Sequence, residues 1–260
     1  MHHRRLFLST LLASGAGSLW LTRHLISADD ADAKKDEKEP EHPFLDNVKV
    51  TVTDKHYIVI SDGIPNHKTG DFPNRDNPNR IQKQNYRFTI PRHPKKAEEI
   101  TKLPMGPIGV AINGIPFYNP FNIHGKDAVT GEWAEVFDTC CGHPDQRGRY
   151  HYHQYPVCVK SPFKEVKGEH SPLIGFAFDG FAIYGPNDAD GKPATSLDEC
   201  NGHADEQHGY HYHVSKEFPY ILGGYRGVVE RANIDRRPLR DPYGKGPPPK
   251  GPPPKRPPRE

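Results

Sequence analysis

Apolar positions along this chain come in short runs, most of them closed by turn residues. The longest, Leu6 to Leu21, spans about 16 residues and falls short of the roughly 20 that a membrane-crossing helix needs. His56 to Ile60 and Tyr86 to Ile90 are rich in β-branched and aromatic side chains and predict strands. Between them, Asp-Gly, Pro-Asn and Asn-Pro pairs over residues 61–83 predict a long ordered loop, of the kind that often carries function. Ile108 to Pro120 and Ile174 to Pro186 each predict a β-hairpin. Asn113-Gly114 and Asp179-Gly180 stand at their centres and suit two-residue turns with positive φ. Pro116 lies just past the first turn and predicts an edge strand, since it lacks an N–H for the ladder. Phe218 to Val228 predicts a short apolar strand and a Gly turn.

The two hairpins repeat one another as I-G-x-A-x-[ND]-G-x-x-x-Y-x-P, and a second repeated segment follows each. Residues 138–153 and 198–213 both read Asp-x-Cys-x-Gly-His, with an Asp two residues on and Tyr-His-Tyr-His at the end. The sequence therefore predicts two homologous half-domains, residues 108–153 and 174–213, each a hairpin plus a Tyr-His-Tyr-His strand, related by a pseudo-two-fold axis.

Composition agrees. Gly and Pro number 24 and 28, a fifth of the 260 residues, which argues against a helical bundle and a long βαβ series. The expected fold class is all-β or β-rich, with long ordered loops and few helices. The net charge of +2 gives no global field for nucleic acid, and no nucleic-acid partner is expected. Charge is unevenly placed. Residues 29–43 form a charged linker with too few apolar groups to pack. Residues 236–260 hold ten Pro and eight Lys or Arg against two acids, a disordered, polyproline-like tail suited to an extracellular or cell-wall polymer.

Histidine changes the picture most, with 16 residues. In a strand, residues i and i+2 share a face, so His151 and His153 project together, as do His211 and His213. Tyr150, Tyr152, Tyr210 and Tyr212 face the other way. His143 and His203 in the Gly-His turns supply a third imidazole to each set. His-x7-His-x-His thus occurs twice, in separate clusters or around one shared site. Neutral imidazole suits a transition metal, with copper or zinc expected here. Asp145 and Asp205 are candidate ligands or outer partners, with the four tyrosines also in that outer role. His67, Asp71, His124 and His208 are further candidates, and Arg226 a candidate anion contact. The competing reading is a non-enzymatic glycan- or wall-binding module, whose His and Tyr form structural networks. The residues name no reaction and no small-molecule substrate.

Cys140, Cys141, Cys158 and Cys200 are disulfide candidates. Equivalence of Cys140 and Cys200 in the repeat leads us to expect Cys140–Cys200, with Cys141–Cys158 closing the loop around the first Tyr-His-Tyr-His. An oxidising compartment fits the N-terminus. His3-Arg4-Arg5-Leu6-Phe7-Leu8 resembles a twin-arginine export motif, which marks residues 1–28 as an export signal and the mature protein as periplasmic, envelope-bound or extracellular. The duplicated Tyr-His-Tyr-His, the Cys-Gly-His turn, the Gly-Ile-Pro and Asn-Pro-Asn loop and Tyr-Ile-Leu-Gly-Gly-Tyr-Arg-Gly together resemble the YHYH domain family. The resemblance covers about residues 57–230 within a domain placed at 44–235. It implies an exported protein with no assigned biochemical activity.

Overall fold

The computed structural model describes residues 41–161 and 167–234. The expected export signal, nearly all of the expected linker and the basic tail lie outside them. The described chain is β-rich. Strands β1 (Lys49–Val52), β2 (His56–Ser61) and β3 (Tyr86–Pro91) form an antiparallel sheet. Strand β4 (Lys96–Thr101) pairs with β13 (Tyr225–Gly227). The remaining strands are β5 (Pro107–Ala111), β6 (Pro116–Tyr118), β7 (Gly142–Pro144), β8 (Tyr150–Tyr152), β9 (Leu173–Ala177), β10 (Ala182–Tyr184), β11 (Gly202–Asp205) and β12 (Gly209–His213). They form one sheet in the order β11-β12-β10-β9-β5-β6-β8-β7. The described residues hold one helix, α1 (Arg231–Ile234).

That order reads the same from both edges once repeat partners are exchanged. The centre is the antiparallel pair β5 and β9, where Val110 faces Phe176, Gly109 faces Ala177 and Ala111 faces Gly175. Across the repeat Val110–Phe176 maps onto itself, and the other two pairs exchange. The two glycines permit this seam: a Cβ on Gly109 would lie 2.6 Å from the Phe176 carbonyl oxygen, and one on Gly175 2.4 Å from that of Val110.

Both hairpins form, with a different turn from the one expected. Gly114 N–H donates to Ala111 O and Ala111 N–H to Ile115 O; Gly180, Ala177 and Phe181 repeat the pattern. Only the glycines have positive φ, +80° and +90°, so each loop has three residues and closes on a glycine bulge. This turn directs Asn113 and Asp179 inward, where both are buried. The edge assignment for Pro116 is corrected. Strand β6 lies between β5 and, in parallel, β8. Pro116 is tolerated because it opens the strand. Residues 218–221 form a turn, with Tyr220, Ile221 and Leu222 buried, and the short strand follows the glycines instead of preceding them.

The core is a continuous cluster that includes Val59, Phe88, Ile90, Ile108, Val110, Phe117, Tyr152, Phe178 and Tyr212. The loop over residues 62–85 packs on the β7–β8 turn. Asn77 and Asn79 donate from Nδ2 to Pro144 O, and Gln82 N–H donates to Gly148 O. It thereby braces the strands that carry the first histidines.

The expected disulfide pairing is overturned. Cys140 bonds Cys158, 18 residues away, while Cys141 and Cys200 are free thiols. The repeat symmetry is the reason. Cys140 precedes β7 and Cys200 precedes β11, which are opposite edges of the eight-stranded sheet. Seven inter-strand spacings of about 4.8 Å put those edges roughly 30 Å apart, whereas a disulfide needs Cα atoms within about 7 Å.

Candidate metal centre

The strand pairs β7–β8 and β11–β12 place the histidines. His143 is directly opposite His151, and His203 directly opposite His211. His153 and His213 lie two residues along, on the same face. In the first repeat His143, His151 and His153 are buried, and Glu135 joins them. The four donors form a ring. His143 Nε2 to His151 Nε2 is 3.1 Å, and His151 Nε2 to His153 Nε2 is 3.1 Å. Glu135 Oε2 lies 3.2 Å from Nε2 of both His143 and His153. All four donor atoms lie within 4.8 Å of one another, a grouping geometrically able to hold a metal ion.

The rings are fixed from behind. Nδ1 of His143 lies 3.1 Å from Val136 O, that of His151 2.9 Å from Arg149 O, and that of His153 2.7 Å from Asn119 O. A carbonyl only accepts, so each Nδ1 carries a proton and each ring turns its Nε2 into the cluster. Burial, followed by the neighbouring His143 and His153, holds His151 well below the ordinary histidine range. Burial alone would raise Glu135, yet hydrogen bonds with His143 and His153 hold it down to about 2. Tyr118 stacks on the His151 ring at 3.8 Å between centroids.

In the second repeat Nε2 of His203 is 3.0 Å from Nε2 of His211, which is 3.0 Å from that of His213. Nδ1 of His211 and His213 donate to Gly209 O and Gly185 O. Thr195 occupies the position equivalent to Glu135. His170, from the segment before β9, comes in instead, with Nε2 3.2 Å from that of His211. Asp188, Asp205 and His208 complete this second cluster. Burial holds both His211 and His213 down to about 4, and neighbouring imidazoles add to the effect. The six predicted imidazoles therefore form two clusters on opposite halves of the sheet, which excludes a single shared site.

The tyrosine hydroxyls turn away from the imidazoles, as alternation requires. Tyr150 donates to Asp138 and Tyr210 to Asp198, at 2.8 and 2.9 Å. Tyr152 meets Asn113 and His67, and Tyr212 donates to Asp179. They anchor the strand from its far face and do not contact the donor atoms. Asp145 is bound to Arg149 and to N–H groups of its own turn, outside the first cluster. Asp205 holds His208 Nδ1 at 2.8 Å, within the second. His67 lies beside Cys140 and Cys158, whose sulfurs are spent on the disulfide. His124 packs on Trp133, Asp71 accepts from Asn74 through its carbonyl, and Arg226 donates to Ala97 O; none of these groups enters a cluster.

Sequence reasoning missed Glu135 and His170. Glu135 precedes His143 by eight residues and has no acidic counterpart in the repeat, and His170 lies outside both repeated segments. Neither carries a local signal. The segment that supplies two of the first cluster's donors is Tyr150-His151-Tyr152-His153, and residues 87–194 match the family model described as YHYH protein. Over that span the chain is similar to the YHYH family. Its matched segment holds the whole first cluster and ends before the second Tyr-His-Tyr-His at residues 210–213. No curated protein and no solved structure matches the chain. Among the described residues, no helix is long and apolar enough to cross a membrane.

Proposed function

We propose that this chain is an exported transition-metal protein that holds a copper or zinc ion with Glu135, His143, His151 and His153. One observation carries the reading: three imidazoles with Nδ1 committed to carbonyl oxygens converge through Nε2, with that of His151 3.1 Å from those of His143 and His153. Imidazole nitrogens facing one another at that distance need a proton or a metal ion between them, and burial makes an added proton costly at His151. The spacing suits a four-coordinate ion. Bonds of about 2.0–2.1 Å give donor separations of about 3.3 Å in a tetrahedron and about 2.9 Å in a square, and the observed 3.1–3.2 Å lies between. This is why both zinc and copper stand.

With Glu135 as an anionic fourth ligand and the imidazoles buried, the first cluster has the character of a closed site that holds a resident ion. The Cys140–Cys158 bond beside it supports assembly in an oxidising compartment, in line with the twin-arginine-like N-terminus. The test is elemental analysis of untagged mature protein from its native source. The expected result is about one equivalent or more of zinc or copper, reduced by one equivalent in His151→Ala. A folded, stable preparation without transition metal would refute the reading and favour the non-enzymatic glycan-binding module.

A further inference from the structure

The second cluster departs from the first in three ways. It has more donors than one ion uses. His170, His203, His208, His211, His213, Asp188 and Asp205 all take part, whereas a zinc or copper ion typically takes about four. The donors also fall into overlapping sets. His203, His211 and His213 form one; His170, Asp205, His208 and His211 form another; and His170, Asp188 and His213 form a third. Finally, the cluster opens to solvent. A cavity of about 440 Å³ is lined by Glu169, His170, Ser171, Tyr184, Gln207 and His208, so two of the donors stand in its wall. His211 and His213 have no exposed surface behind them.

We propose that the second cluster is a two-station exchange site for a transition-metal ion, which enters from the cleft at His170 and His208, with Asp205 holding His208, and passes to His203, His211 and His213. The proposal rests on the reading that convergent imidazoles in this protein bind metal, and it adds a cargo ion to the resident one. The shared residue sets the logic. With its Nδ1 donating to Gly209 O, His211 has one lone pair, on Nε2, and that pair binds one ion at a time. The two sets that share it therefore fill in alternation. An ion bound at the outer set reaches the inner one by exchanging ligands around His211 and never becomes free. No bond to carbon is made or broken, and no electron moves. His208 is held in place to receive the ion. Asp205 fixes its Nδ1 at 2.8 Å, and its ring stacks on that of His170 with centroids 4.2 Å apart. Its Nε2 is the atom left for an arriving ion.

The experiment loads the full mature chain with zinc(II), isolates it, and follows release to an excess of a chromogenic chelator. Release is expected in two phases of about one equivalent each, the fast phase from the second cluster and the slow phase from the first. His208→Gln keeps the Asp205 turn and slows the fast phase, because the ion loses the cleft-side imidazole through which it leaves. His170→Gln, checked for fold by circular dichroism, acts in the same direction. His151→Ala removes the slow phase and leaves the fast one, so the two readings fail separately. Loss of the slow phase in the wild-type chain would refute the resident ion alone. A fast phase unchanged in both His208→Gln and His170→Gln, or second-cluster zinc released as slowly as the first, would overturn the exchange site.

Discussion

His151→Ala is the sharpest test of the first cluster, because His151 stands 3.1 Å from both His143 and His153 and is stacked on Tyr118. Two effects must be separated. In metal-free protein the change empties a buried site, which typically costs about 2–4 kcal/mol for a large-to-small substitution. In loaded protein the wild type gains further stability by mass action, about 4 kcal/mol when the free ion is a thousand times its dissociation constant. For a domain of roughly 200 residues each kcal/mol moves the thermal midpoint by about 2–4 °C, so loading should raise the wild-type midpoint by about 10 °C. With a central ligand gone, the variant should gain less than about 3 °C from the first cluster. The assay is a pair of melts, chelator-treated and then zinc-loaded, for wild type, His151→Ala and His124→Ala. All three are built on His203→Ala, which weakens binding at the second cluster. His124 is outside both clusters, and its variant should follow the wild type. Equal metal-induced shifts in wild type and His151→Ala would refute the assignment of ligands.

Other consequences are open to simple measurement. Asp179 is held up to about 6, chiefly by burial, so the folded state keeps its proton where the unfolded chain has lost it. Stability from this group is therefore full below pH 4 and falls as pH rises through 6, by about 3 kcal/mol in all; Asp179→Asn should flatten that slope in urea titrations. His211 and His213 act in the opposite sense. Their depressed values make chelated protein lose stability as pH falls from 6.5 through 4, and the double change to Gln should remove most of that acid sensitivity. Denatured, non-reduced protein should titrate with two free thiols, and Cys158→Ser should cost about 3 kcal/mol by freeing an 18-residue loop. Gly142→Ala should lose first-cluster metal, since a Cβ there would lie 2.3 Å from the Tyr150 ring that packs over the Cys-Gly-His turn. Metal retained in full by that variant would count against the turn's role in placing His143.

What could be read in the sequence was local. Hairpins followed from Asn113-Gly114 and Asp179-Gly180 because turn chemistry acts within a few residues, although the three-residue form depended on where Ala111 and Ala177 found acceptors. The shared face of His151 and His153 followed from strand alternation. What failed was long-range. Parallel pairing of β6 with β8 placed Pro116 inside the sheet, and nothing within the hairpin encodes that neighbour. The disulfide was misjudged because repeat equivalence was taken as proximity, whereas strand order sends equivalent positions to opposite edges. Glu135 and His170 reach their clusters through tertiary contacts alone, from segments that carry no periodic pattern.

The terminal strands of the large sheet are very short, β7 with three residues and β11 with four. Each carries one imidazole that faces its neighbour's across the ladder. An ion seated there would act as a clasp, holding the outermost strand to the rest of the sheet more firmly than its few ladder bonds can. Starved of metal, the protein would fray first at its two rims and offer unpaired backbone to other chains, so scarcity of the ion would be felt as stickiness before it was felt as unfolding.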